Sequence, residues 1–330
     1  MYHDFKAIVM NILIAGGAGY IGSALIPRLL DRGYHVRVVD LLWFGNNLPP
    51  EAEVLNKEIF DVTQDDLKGF DQVIFLAGLS NDPMAEFSPS LNFIYNAASP
   101  AYLAYLAKQA GVRRFIYAGS CSVYGYTVNE LYDEDSPAVS NYPYGISKLQ
   151  GEKAVMQMAE TGFSSICFRQ GTVSGFSPRM RLDLIVNTMF RSALQKNEIV
   201  INNPSIWRPI LSIEDACDGY IRAIEASEDI SGIFNIASGN YTVGEVGDIV
   251  RHIVEENLGE KVKLTVRHVQ DFRNYKVSCE KARNVLSIKP RHDVEWIVGN
   301  LIENRALFAD FDNPLYYNIK VFTSLPGAKK

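Results

Sequence analysis

The sequence predicts an α/β fold, a doubly wound parallel sheet with helices on both faces and a smaller, interleaved C-terminal substrate lobe. Three observations carry this expectation. The first half alternates short apolar runs with helical stretches, as strands and crossover helices do. A glycine-rich turn joins the first run to the first helix. The length, 330 residues, suits one large domain or two modest ones.

The elements follow in order. Residues 12–15 (ILIA) form a buried strand and 21–31 the next helix, with a kink expected at Pro27 because proline lacks the backbone donor. Gly33 stops that helix, and 36–40 (VRVVD) is the second strand. Further strands are expected at 54–57, 72–76, 114–118 and 165–168, with helices at 92–109 and 144–160. The stretch 125–143 is polar, acidic and rich in turn formers, so it reads as a long loop. Past residue 170 the rhythm changes to loops rich in Ser, Pro, Arg and Asn between helices at 214–226 and 243–256.

Composition narrows the function. A net charge of −6 without any dense Lys/Arg block argues against nucleic acid as partner. No run of 18 apolar residues is present, so a membrane span is not expected. The four cysteines, Cys121, Cys167, Cys217 and Cys279, lie far apart with no CxxC, which suits reduced thiols in a cytoplasm and no metal site. The first nine residues are too short and acidic for a secretory signal, and the terminal TSLPGAKK reads as a frayed end.

Two constellations carry chemistry. Gly16, Gly19 and Gly22 in GGAGYIG follow a strand and open a helix whose exposed N–H groups and dipole suit a pyrophosphate. Asp40 ends the next strand, where a carboxylate can accept from both ribose hydroxyls, and LLWFGNN after it offers no cation to a 2′-phosphate. This favours NAD over its phosphorylated form. Tyr144 and Lys148 lie at i and i+4 on one helical face after Pro143. A lysine beside a phenol is expected to lower its pKa and let it shuttle a proton to a carbinol oxygen. Ser120, at the end of the strand beginning at Arg114, could hydrogen-bond the same oxygen.

With LAGLSNDP (76–83), GSCSVYG (119–125) and YGISK (144–148), the chain resembles the extended short-chain dehydrogenase/reductases, and within them the NAD-dependent nucleotide-sugar epimerase/dehydratase group. The resemblance runs from about 11 to 310. It implies a Rossmann-type sheet and a catalytic triad of Ser120, Tyr144 and Lys148. It also implies cofactor contacts from Tyr20, Ile21, Asp61, Val62, Leu76, Ala77, Gly78 and Asn96; Asp61 could instead be a turn residue, and Asn96 a capping or packing one. Residues 10–172 are then the NAD-binding domain, with about 205–226 returning to it, and 173–330 mainly the substrate lobe. A homodimer through helices near 92–109 and 144–160 is implied, with Leu103, Leu106, Val155 and Met158 as interface or ordinary core.

Variable positions narrow the reaction. The group's 4,6-dehydratases carry acidic residues after the catalytic serine, whereas this chain has Cys121 and Ser122. Cys121 stands one place early for a 3,5-epimerase/reductase and is expected to be a packing residue. SPRMRLDL (177–184) resembles bacterial surface-polysaccharide enzymes acting at sugar C4. Substrate contacts are expected from Ser122, Thr172, Arg179, Arg181, Arg208 and Arg273, since a guanidinium fork matches a diphosphate. Thr172 and Ser174 stand where the group usually has Asn and Tyr. Arg179 and Arg181 could instead form a solvated pair or an Arg–Asp183 bridge. The favoured reading is an epimerase passing through a 4-keto sugar. The alternatives are a C4 dehydrogenase or ketoreductase, a dehydratase with another acid–base set, and an NAD-binding sensor or scaffold.

Overall fold

The computed structural model describes residues 10–259, 261–269 and 273–328; the stretch 1–9 lies outside the described residues. Seven strands form the main sheet: β1 (Asn11–Ala15), β2 (His35–Asp40), β3 (Glu53–Asn56), β4 (Gln72–Phe75), β5 (Arg114–Ser120), β6 (Ser164–Gln170) and β7 (Gly232–Ile236). Their spatial order is β7-β6-β5-β4-β1-β2-β3 and every pairing is parallel. The order reverses beside β1, so a crevice opens at the carboxyl ends of β1 and β4.

Alternation along each strand supplies two cores. Ile12 and Ile14 of β1 face one side with Leu25, Ile26 and Leu29 of the first helix, Tyr20–Asp31. Leu13 and Ala15 face the other with Leu103, Val155 and Tyr117. Every one of these side chains is buried, as a sheet covered on both faces requires. Leu103 and Val155 are therefore core, which removes them from the expected subunit interface. Leu106 and Met158 are only partly buried against the same core.

The first helix continues through Pro27, where a kink is expected, to Asp31, with Ile26 and Leu29 buried on either side of the proline. Several local expectations are corrected. The stretch expected as a loop contains a strand, Tyr126–Tyr132, paired with Asn274–Val277 more than 140 residues later, a partner no local pattern announces. The helix expected over 92–109 starts at Pro89 and contains a π-helical turn, Ile94–Ala98, before Ser99–Gln109.

The second half does not separate from the first. Helix Ile213–Glu225 packs on the first helix through the Arg28–Glu214 ion pair, and β7 completes the main sheet from beyond the segment expected to return. The remaining chain builds the walls of the crevice. Strands Thr172–Ser174, Trp207–Ser212 and Gly239–Thr242 form a three-stranded sheet, and Glu198–Asn202 pairs with Lys263–Arg267. Of the end expected to fray, 323–330, Thr323 and Ser324 complete a short helix, Asn318–Ser324, whose Phe322 is buried, and Leu325 and Ala328 pack against the cluster of Leu79, Met84 and Phe322; 329–330 lie outside the described residues. Among the described residues no helix is long and apolar enough to cross a membrane.

Candidate active site

The crevice at the strand ends is a cleft of about 700 Å³. At its floor, the Gly16 N–H donates to Val39 O at 2.8 Å, and the turn then enters the helix at Tyr20. Gly16 has φ +76°, and a Cβ there would lie 2.5 Å from the Ala77 backbone. A Cβ on Gly22 would lie 2.1 Å from Gly17 O, so Gly22 serves the close packing of helix on turn and does not itself line the cleft. Gly19, Tyr20 and Ile21 line it beside Gly16, and no side chain caps the helix, so its first N–H groups are available to an anion.

Asp40 ends β2 in the cleft. Its oxygens accept from Ala18 N at 3.0 Å and Leu42 N at 2.8 Å, which fixes the carboxylate over the turn. Burial raises its pKa, and these two donors oppose that shift. Leu76, Ala77 and Gly78 line the cleft as expected from β4. Asp61 and Val62 do not. Asp61 is exposed in a short turn and Val62 is core, while Lys57, Glu58 and Ile59 take the cleft wall three residues earlier. Asn96 also stays out of the cleft. Its amide donates to Leu79 O at 2.9 Å and Asn92 Oδ1 at 2.8 Å, so it braces the β4 loop.

Pro143 starts the helix Pro143–Met156, and Tyr144 and Lys148 project from it into the cleft opposite Ser120. Ser120 closes β5, and its Oγ accepts from Ser122 N at 3.2 Å and Ser122 Oγ at 2.9 Å. Behind the helix, Arg169 grips Glu152 with two bonds of 2.8 and 2.7 Å and donates to the Tyr124 hydroxyl at 2.8 Å. This bidentate pair, buried on both sides, locks the Tyr144 helix to β6.

The pKa expectation for the pair is corrected. Burial raises the Tyr144 phenol, and the Asp82 carboxylate adds to the rise; the Ser120 hydrogen bond and the Arg181 charge act the other way. Lys148 Nζ is 6.0 Å from the Tyr144 ring centre and donates to Ala118 O at 3.0 Å. Burial drives Lys148 down to about 8. The lysine is thus a buried ammonium over the edge of the phenol ring.

The arginines divide. Arg208 and Arg273 line one end of the cleft with Ser122 and Thr172. Arg208 donates to Arg273 O and stacks on Tyr275, and Arg273 pairs with Asp82. Arg181 bonds Asp183 at 2.8 Å, which is the bridge alternative. Burial opposes ionisation of Asp183, yet the Arg181 guanidinium holds its pKa low. Arg179 lies at the other end, 3.6 Å above the Phe44 ring and close enough to Asp40 for their charges to interact. Arg179 lines the cleft as expected, on the side where Asp40 ends β2. Sequence reasoning missed Trp43, Phe44, Asp82, Gln170 and Asn318, all in the cleft wall. Asp82 sits in the quoted SNDP run and was the one within reach of a motif-based reading. Among the described residues no cluster of His, Cys, Asp or Glu could hold a metal.

A glycine turn under a helix start, a carboxylate at the end of β2 and a Ser–Tyr–Lys set across the cleft define an NAD-binding Rossmann enzyme, and the residues present fit that cofactor. A family model, the NAD dependent epimerase/dehydratase family, matches residues 12–237, and the chain belongs to that family. A putative UDP-glucose 4-epimerase of Methanocaldococcus jannaschii is 27% identical over 294 residues, 86% of this chain and 94% of its own. The UDP-glucose 4-epimerase of Corynebacterium glutamicum is 26% identical over 310 residues, 88% and 94% respectively. Among solved structures, MoeE5 in complex with UDP-glucose and NAD superposes with a TM-score of 0.80 at 24% identity, covering 90% of this chain and 99% of that one. The NAD-dependent NDP-hexosamine 5,6-dehydratase TunA gives 0.79 at 23% identity, covering 92% and 100%. NAD is the cofactor.

Proposed function

We propose that this chain is a nucleotide-sugar 4-epimerase acting through a 4-keto sugar. The observation that carries this is the state of two carboxylates in the cleft, Asp82 and Asp183. Asp82 is held by Arg273 and Asp183 by Arg181, Cys121 is buried packing, and Ser122 only supports Ser120. That leaves the Ser120–Tyr144 pair to move protons, and one hydroxyl pair suits redox at a carbinol better than elimination of water. The names of the relatives, mostly UDP-glucose 4-epimerases, support the same reading and put UDP-glucose first among substrates.

NAD, when bound, accepts and returns a hydride and brings a positive ring that favours a nearby phenolate. The chain does the rest. Tyr144 takes the proton of the C4 hydroxyl and returns it to the C4 oxygen once the 4-keto sugar has turned over in the cleft, Ser120 holds the oxygen, and Lys148 supplies positive charge. Arg208 and Arg273 bind the substrate diphosphate. We further propose that residues 10–172 with later returning segments form the NAD domain, the rest the substrate lobe. A homodimer would use the outer faces of the helices near 92–109 and 144–160, where Tyr105 is half exposed.

The test is a panel of nucleotide sugars read by mass and proton NMR. A new C4 stereoisomer of unchanged mass is expected. Loss of one water, or gain or loss of two hydrogens, would replace this reading with a dehydratase or a net oxidoreductase. Tyr144→Phe is expected to lower turnover roughly 10³-fold while keeping NAD; undiminished turnover would remove Tyr144 from the chemistry.

A further inference from the structure

The C-terminal helix, Asn318–Ser324, lies outside the residues matched by the family and yet reaches the cofactor cleft. Asn318 is buried there and ties three walls together. Its Oδ1 accepts from Arg179 Nη2 at 2.5 Å, its Nδ2 donates to Ser80 Oγ at 2.5 Å, and its backbone N–H donates to Asp183 Oδ2 at 3.2 Å. Asp183 in turn accepts from Asn81 at 3.1 Å and from Arg181. One turn later, Phe322 packs against Trp43 and Phe87 at ring separations of 5.8 and 6.0 Å, and Trp43 meets Tyr95 edge-on. Trp43 and Tyr95 line the same cleft as Asp40.

The arginine held by Asn318 is incompletely satisfied. Arg179 Nε and Arg181 Nη2 are buried and have no hydrogen-bond partner among the described residues. Two guanidinium groups side by side, each with a spare donor beside a helix start, suit a doubly charged diphosphate. Arg179 lies over Phe44 near Asp40, so the diphosphate within its reach is that of the dinucleotide.

We propose that the helix Asn318–Ser324 is a clasp on bound NAD. Asn318 positions Arg179 against the dinucleotide's diphosphate, while Ile319 and Phe322 close the wall behind Trp43. The clasp keeps the cofactor on the protein between turnovers. This purpose rests on the epimerase reading, because an epimerase returns its cofactor to the starting state and never needs to exchange it.

The experiment measures the rate at which NAD leaves the loaded protein after dilution, without any sugar, for the full chain, Asn318→Ala, Phe322→Ala and a chain ending at Tyr317. Release at least tenfold faster in the variants is expected, with NAD-free Asn318→Ala still cooperatively folded at the assay temperature, which separates positioning from unfolding. Release within twofold of the full chain in Asn318→Ala and Phe322→Ala overturns the clasp, whether or not the shortened chain folds. Because no sugar is present, net redox products in the sugar panel would end the epimerase reading without touching these rates.

Discussion

Lys148 shows how a single residue is set by burial. Its side chain is buried, its ammonium donates to Ala118 O, and its pKa is driven down from 10.5 to about 8. The folded chain therefore binds this proton less tightly than the unfolded chain does. Between pH about 8 and about 10.5 the unfolded state holds more protons, so this group's contribution to stability rises with pH, by on the order of 3 kcal/mol in full. Below pH 8 the cost of burying the charge is fully present. Lys148→Met removes that cost, so its stability relative to the parent should be greatest below pH 8 and should decline as pH rises toward 10.5. Urea unfolding at both ends of that window checks this; a pH-independent difference would mean that Lys148 is not held as a strained ammonium. Tyr144, Ser120 and Lys148 were legible because their spacing along one strand end and one helix turn is itself the geometry. The direction of the Tyr144 pKa was not, because Asp82 and burial act from elements that no spacing reveals.

At the scale of an element, the β1 turn and its helix act as one piece. Gly22 lets the helix sit on Gly17 with no room for a side chain. Gly22→Ala should cost about 2–3 kcal/mol and weaken NAD at least tenfold, read by denaturant unfolding and a fluorescence titration. Unchanged NAD affinity would separate the packing from the phosphate site. This turn was readable from sequence since strand, glycines and helix are consecutive. The helix from Pro89 to Gln109 was readable only in outline. Its π turn carries Asn96, whose amide bonds Leu79 O and Asn92, and such a turn depends on the tertiary partner and leaves no mark in apolar periodicity.

Across the whole molecule, Arg114 joins the two halves of the chain. It is fully buried on β5 and donates to Ala223 O and Ala226 O at 2.7 Å and to Ser227 O, tying off the carboxyl end of helix Ile213–Glu225. Arg114→Leu removes the guanidinium donor from Ala223 O and Ala226 O, while Ser227 O keeps the Ile230 N–H, and should cost roughly 3 kcal/mol, lowering the unfolding midpoint; a loss under about 1 kcal/mol would show that this link is dispensable. The same interleaving explains why residues 232–236 complete a sheet that begins at residue 11. Fold class, the glycine turn, Asp40 and the Ser–Tyr–Lys set were legible in the chain before folding was considered, because each depends on residues close in the chain or on one repeated period. Folding alone placed Arg179 beside Phe44 and Asp40 and brought Asn318 into the cleft. Those outcomes rest on side chains that are distant in sequence and meet only after the core has packed, where burial makes each pairing strong enough to settle the arrangement.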